Sequence, residues 1–531
     1  MAFTLQAITQ NVWENSNSEV HPFLYRLAQK GFIEYNDLIK PINRVHILTA
    51  LKNLNQKDST ISIIEKKELA FYLQEYTIPA KEQISLFKKD QNKRWRAGAI
   101  VSNDFEFYID PLLSINNFSG AGKNIKQLSN GFELWGTAGK HKNLGYQVYY
   151  RDYTETGTVN NNFREQSPTQ GTILIGAKSD NKINYTDIRA NINYSFKKGN
   201  ISLGKDNLIW GYGENSNIIL SNKAPSYPFI RLDYKPLKWL NFNYTHAWLN
   251  SNIADSSLSY LTNSGRIQND TRVVFVPKFL ATHSIEVQAM KGLNIAIGES
   301  IVYSDKMDPG FLIPINLFKF YDNNRSNYLI EAGSNGQYFL SLSSRNQIKN
   351  THLYSTLFID EIKVSALFNK TERRNQLGFN LGGSITDIFI PYLSLGAEYT
   401  RVNPFVYSNL IPAQTYTSYN YSLGHWMGNN FDKAILFAKY TPLAKLKLVA
   451  RYQKIRKGGP GTIYEQYAVQ PQPSFLFDYI KTKSDVFLQA RYEYINNIYL
   501  TSSLTLMQTK LTNGNLVKDN TYQLGISVGL P

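Results

Sequence analysis

The stretch Gln523–Leu530, QLGISVGL, alternates without a break. Leu524, Ile526, Val528 and Leu530 share one face, and Gln523, Gly525, Ser527 and Gly529 share the other. A period of two is that of a β-strand. Upstream, Leu500, Leu504 and Leu506 oppose Thr501, Ser503 and Thr505. Likewise Val486, Leu488, Ala490, Tyr492 and Tyr494 oppose Gln489, Arg491 and Glu493. The second face is too polar for the interior of a soluble sandwich, which is the competing reading. An apolar face backed by Arg491 and Glu493 is what a closed antiparallel transmembrane barrel requires, with lipid on one side and a wet lumen on the other.

From about residue 95 the chain repeats one unit: strand, tight turn, strand, long polar loop. Candidate strands begin near Arg96, Gly131, Gly145, Ile183, Ile201, Phe229, Leu240, Arg272, Leu293, Tyr328, His352, Leu377, Leu393, Ala434, Leu446, Val486, Tyr499 and Tyr522. That makes about 18 strands, an even number that returns both ends of the barrel to the same side. Short connections (HKNLG, FKKGN, KPLKW, MKGLN, NQIKN, TPLAK, INNI) alternate with long ones near 156–181, 212–227, 252–271, 306–326, 406–430 and 457–483. Short turns belong on the periplasmic side and long loops outside, where external ligands are met.

Composition agrees. The 531 residues have a mean hydropathy of −0.34, and no run approaches the roughly 18 apolar residues of a membrane helix. Barrel strands spread their apolar residues over alternate positions instead. Cysteine is absent, which removes disulfides, thiol catalysis and zinc-thiolate sites. The 36 Tyr, 29 Phe and 7 Trp suit aromatic girdles. A net charge of +16 is scattered over strand ends and loops, with no dense run or basic helix. It points to lipid or lipopolysaccharide phosphates, or to an acidic polysaccharide, rather than to nucleic acid.

The beginning of the chain has a different period. Residues 1–9, MAFTLQAIT, read as the remnant of an export signal. Phe23, Leu24 and Leu27 share a helical face that ends at Gly31, and Val45, Leu48 and Leu51 repeat the spacing. Ser62 and Glu65 form a capping box ahead of Leu69, Tyr72, Leu73 and Tyr76. Residues 10–80 are therefore expected to form a small α-helical periplasmic domain, with 81–94 as linker and 95–531 as barrel.

Three segments resemble the Wzi family, outer-membrane barrels tied to capsule assembly, together with related surface barrels of gliding Bacteroidetes. The first is LGKDNLIWGYGENSNIILSNKAPSYPFIRLDY, with Trp210-Gly211, Gly213, Ile219 to Asn222, Ala224-Pro225 and Pro228. The second is LNIAIGESIVYSDKMDPGFLIPINLFKFYDNN, with Gly298-Glu299 and Pro314 to Asn316. The third is LYSTLFIDEI, with Asp360-Glu361. The resemblance implies an eighteen-stranded barrel with a periplasmic helical bundle and a largely filled lumen. It also implies a lectin-like role in holding capsular or exopolysaccharide at the cell surface.

Glu299 breaks the alternation set by Leu293, Ile295 and Ile297, since a charged carboxylate facing lipid costs several kcal/mol. A bulge at Gly298 would turn it into the lumen, and the same device at Gly204 would turn Lys205. With Asp360, Glu361, Arg491 and Glu493, these residues are expected to form lumenal polar networks, Arg345 or Arg325 partnering the Asp360-Glu361 pair. Asp360 and Glu361 are neighbours on a strand, so they are expected on opposite faces, which excludes a paired acid/base site.

The seven histidines fall singly, with no metal-ligand spacing, and GxSxG does not occur. SGAGKN near Gly122 lacks the upstream glycine of a phosphate loop. No enzyme, metal or cofactor is expected. Trp210, Tyr212, Tyr227, Tyr407, Tyr419, Tyr421, Trp426, Tyr464, Tyr467 and Tyr479 lie in or beside long loops, where they could stack on sugars or simply pack. Arg456 and Lys457 open the loop RKGGPGTIYEQYAVQPQPSFLFDYIK, the first choice for an acidic polymer. They could equally meet lipid phosphates. Two alternatives stand beside polysaccharide binding: an accessory protein of a gliding or surface-adhesin machinery, and a diffusion channel for small solutes. Bulky inward residues such as Arg451 and Gln489 speak against an open channel.

Overall fold

The computed structural model describes residues 10–57, 61–79, 81–120, 122–158, 167–174, 181–262, 270–326, 333–361, 375–469 and 471–530. Eighteen antiparallel strands close into a barrel. The ring runs in chain order from Phe105–Gly120 to Leu516–Val528, and shuts where Tyr522 opposes Ser119 and Val528 opposes Leu113. The apolar face read from the sequence points outward, where Leu488, Leu500, Leu506, Leu524 and Ile526 are exposed.

The hairpin Gln83–Lys89 and Trp95–Val101 stands beside this ring, so part of the expected linker is a strand. The candidate near Arg96 is thus a hairpin strand, and its place in the ring belongs to Phe105–Gly120. Asp110-Pro111 masks that strand in the sequence. On its outer edge the hairpin pairs up to Ile109, whereas the last strand pairs from Leu113 onward. Pro111 falls in the gap between the two partners, where a missing N–H costs nothing. The candidate start at Tyr328 lies outside the described residues, and its strand is described as Asn335–Arg345. The candidate near Arg272 begins as a short loop ladder, Tyr260–Thr262 with Asp270–Arg272, before the wall strand Phe275–Met290.

Among the described residues, three α-helices precede the barrel: α1 (Val20–Gln29), α2 (Arg44–Asn55) and α3 (Ile63–Tyr76). Gly31 ends α1 with a positive φ of 75°. The capping box opens α3, with Glu65 N donating to Ser62 Oγ and Ser62 N donating to Glu65 Oε2. Leu24, Leu27, Leu48, Leu51, Leu69 and Tyr72 form the core shared by the helices.

This bundle sits in the short-turn mouth of the barrel. Gln29 Nε2 donates to the carbonyls of Asn350 and Ser384, both at 2.8 Å. Arg491 pairs with Glu19 at 2.8 Å, Arg345 with Asp37 at 2.6 Å, and Lys447 with Glu68.

The lumen is filled from both ends. The loops 207–226 and 403–430 fold inward and build an apolar core around Trp210, Ile219, Leu220, Tyr416 and Leu423. Phe229, Leu280, Phe339 and Phe358 of the wall close around it. Ser221 N donates to Leu423 O at 2.7 Å, tying one loop to the other. From the opposite mouth, Ile39–Lys40 pairs antiparallel with Ile209–Trp210.

Candidate functional site

The loop aromatics divide by burial. Trp210, Tyr212, Tyr227, Tyr407 and Trp426 are buried, so they present no face to a soluble ligand. Trp210 lies edge-on to Phe339 at 5.9 Å, and Tyr407 OH donates to Ile218 O at 2.7 Å. These side chains belong to the plug, which corrects their reading as surface stacking groups. Ile218, Ile219 and Leu220, an apolar triplet inside a loop and all buried, are the signal by which the sequence could have shown that this loop turns inward. Tyr419, Tyr421 and Tyr467 are half-buried, Tyr421 beneath the Lys223 ammonium at 5.2 Å. Tyr479 is 37% exposed, and Tyr464 stands furthest clear of the protein of the ten, 70% exposed.

Arg456 and Lys457 are neighbours on the strand Leu446–Lys457, so they part to opposite faces. Lys457 faces inward with Phe431, its cross-strand partner from the plug core. Arg456 faces outward at the rim, where its Nε donates to Asp432 Oδ1 at 3.0 Å. Tyr399 OH donates to the same carboxylate at 3.1 Å. Nearby, the Arg401 guanidinium lies 3.7 Å from the centre of the Phe475 ring and holds the long loop against the rim.

The inward face next to Lys457 is basic. Lys481 stands directly opposite Lys457, and Lys483 lies one inward position further along. Two strands away Asp519 pairs with Lys123, which reaches it from beyond the closing strand, and Lys483 reaches Asp485 at 4.0 Å. Among the described residues, Lys457, Lys481, Lys483 and Lys123 gather with Asp485 and Asp519 at the long-loop end. Like charges placed directly across a strand pair are destabilising, so an anion entering from that end would relieve the repulsion. The loop above is fixed by Asn430, whose Nδ2 donates to Gly459 O at 2.8 Å and Phe477 O at 3.1 Å. Its short helix Ile463–Tyr467 carries a Thr462/Glu465 capping box and presents Tyr464.

Four of the six residues expected in lumenal networks are inside. Arg491 meets Glu19, and Glu493 accepts from Asn497 N at 2.9 Å. Asp360 accepts from Gln337 Nε2 at 3.1 Å and Tyr407 N at 2.6 Å, holding a plug loop to the wall. A register shift between Ile359 and Glu361 sets Glu361 opposite the buried Gln376, which donates to it at 2.9 Å. The pair therefore shares the inner side rather than splitting. Its expected arginine partners are engaged elsewhere, Arg345 with Asp37 and Arg325 with Asp308.

The other two are outside. The ladders through Gly204 and Gly298 run without a bulge, so Lys205 and Glu299 keep the outward face. Lys205 lies at the upper rim, and its Nζ donates to Ile188 O at 2.8 Å and Ser226 Oγ at 2.5 Å. Glu299 is covered by protein: its Oε1 accepts from Phe318 N at 2.6 Å and lies 3.2 Å from His283 Nε2. The sequence argument that a bare carboxylate cannot face lipid holds, but the remedy is a cover rather than a bulge. Among the described residues, no cluster of three His, Asp or Glu is placed to hold a metal ion.

No protein-family model and no curated protein matches the chain by sequence. Among solved structures the chain is similar to Wzi of Escherichia coli, described as an outer-membrane protein involved in group 1 capsule assembly and a carbohydrate-binding β-barrel. The match has 12% identity and a TM-score of 0.60, covering 98% of this chain and 99% of Wzi. OccK5 of Pseudomonas aeruginosa matches at 12% identity and a TM-score of 0.41, over 80% of this chain and 97% of its own. OccAB4 of Acinetobacter baumannii matches at 9% identity and 0.44, over 80% and 97%. The fold is that of an outer-membrane β-barrel.

Proposed function

We propose that the chain is a non-enzymatic outer-membrane barrel that binds or organises an acidic capsular or exopolysaccharide at the cell surface. In this reading the helices face the periplasm and the long loops face outward. The observation that carries it is the column Lys457, Lys481 and Lys483 at the long-loop end, where Lys457 Nζ donates to Asn429 O and where Lys457 and Lys481 flank the loop that presents the exposed Tyr464. Closely set ammonium groups attract carboxylates or sulfates along a polymer, and an exposed ring stacks on the apolar face of a sugar. The carbohydrate-binding description of Wzi supports the ligand class. The filled lumen argues against free diffusion of solutes, because the apolar plug leaves the loops rather than a pore as the working surface.

The test is retention of the purified barrel on immobilised polygalacturonate against neutral dextran. Retention on the acidic polymer should fall with salt. The double variant Lys457→Glu/Lys481→Glu should bind it about tenfold more weakly, about 1.4 kcal/mol, with dextran unchanged. Equal retention of the native protein on both matrices would remove the proposal.

A further inference from the structure

The segment 305–326 joins neither the plug nor the rim. It folds back over the outer face of the wall. Leu232, Tyr244, His283, Glu299 and Tyr338 oppose one another in turn across five strands, forming one row on the outward side. Ile201 and Ile297, on that same face, are exposed. A tyrosine, an imidazole and a carboxylate in such a row are costly against hydrocarbon.

The segment satisfies each of them. Tyr244 OH donates to Phe311 O at 2.8 Å, and His283 Nδ1 lies 2.9 Å from Pro314 O. Glu299 receives the first N–H of the helix Phe318–Ser326. Phe311 and Phe318 are buried between segment and wall with Phe279, Ile301 and Tyr303. Asp308 accepts from Tyr321 OH at 2.8 Å, pairs with Arg325 and closes the segment on itself.

The opposite side of this strap is apolar and bare. Ile313 and Leu317 are more than half exposed, Ile315 is 80% exposed and Phe320 69%. Glu299 lies six residues from Leu293, about 20 Å along the strand. On a wall tilted by about 40° that is about 15 Å of height, within an apolar band of about 25 Å. The strap therefore stands in the upper part of the lipid-facing belt and continues the belt around Ile297.

We propose that the strap is a lipid-embedded cover: Ile313, Ile315, Leu317 and Phe320 insert among the acyl chains of the leaflet at the long-loop end. They replace in lipid the surface that His283 and Glu299 would otherwise spoil. Continuity with the belt favours acyl chains over a protein partner. The inference is independent of polysaccharide binding.

The chain has no cysteine, so single labels are unambiguous. Ile315→Cys carries a nitroxide on the full chain in phosphatidylcholine vesicles, with Ile297→Cys as the belt reference and Tyr464→Cys as the solvent reference. The expected spectrum is broadened by oxygen and untouched by a water-soluble nickel chelate, as at Ile297; Phe320→Cys should rank the same way. Broadening by the nickel chelate as at Tyr464 would overturn the proposal. Loss of both effects would overturn it as well, since a second copy or another protein would then cover the patch.

Discussion

Asp37 Oδ1 and Arg345 Nη2 lie 2.6 Å apart, the first on the segment after α1 and the second at the short-turn end of a wall strand. Both are buried. Burial by itself raises the Asp37 carboxyl, but the Arg345 guanidinium and the Lys40 ammonium more than offset it and hold the carboxyl below its ordinary range. Asp37→Ala leaves Arg345 buried without this partner and should destabilise the seated bundle by about 3–5 kcal/mol. Limited proteolysis of the purified barrel should then release fragments from residues 10–79 that the native protein protects. In the native protein a depressed carboxyl contributes stability above about pH 4 that is lost as pH falls through the lower folded value.

His21 predicts a second pH dependence, one that sets in at higher pH. Its buried ring bonds the Tyr35 hydroxyl and the Asn15 carbonyl oxygen, each at 3.0 Å. Burial, helped by the Lys40 ammonium, lowers its pKa to about 3. The unfolded segment takes up a proton near pH 6.5 and the folded one does not, so folding weakens as pH falls. The loss should approach 1.4 kcal/mol per pH unit below about pH 6.5. Denaturant unfolding followed by helix signal between pH 7 and 4 measures the slope, and His21→Asn should flatten it.

Trp210 is the largest fully buried side chain of the plug. Trp210→Ala should cost about 3–5 kcal/mol by leaving a cavity and loosen the loop 207–226. Planar-bilayer recordings should show rare, small currents for the native barrel and frequent openings for the variant. Steady large conductance in the native protein would contradict a sealed lumen.

Glu299→Ala should free the strap. It removes an N-terminal cap, about 1 kcal/mol, together with the acceptor facing His283. Trypsin cleavage at Lys319 and Arg325 should rise, with the heat-resistant mobility of the barrel unchanged.

The ring of strands was legible because lipid and lumen impose a period of two on every wall segment, as in Gln523–Leu530. The capping box at Ser62 and Glu65 was equally plain, since all its partners lie within one helical turn. What a loop does after leaving its strand was not. Aromatic loop residues read alike whether the loop descends into the lumen, as at Trp210, or stays above it, as at Tyr464. The apolar triplet Ile218 to Leu220 is a signal that could have told the first case apart. Glu299 shows the same limit from the other side. Alternation identified the misplaced charge, yet nothing in a strand pattern says that the next loop will return along the outside to cap it.

The short ladder between Ile39–Lys40 and Ile209–Trp210 joins a segment entering from one mouth to a loop descending from the other. Together they make a continuous rod of protein through the sleeve of strands. A mechanical load applied to the outer loops therefore has a direct path to the helices below, without passing through the wall.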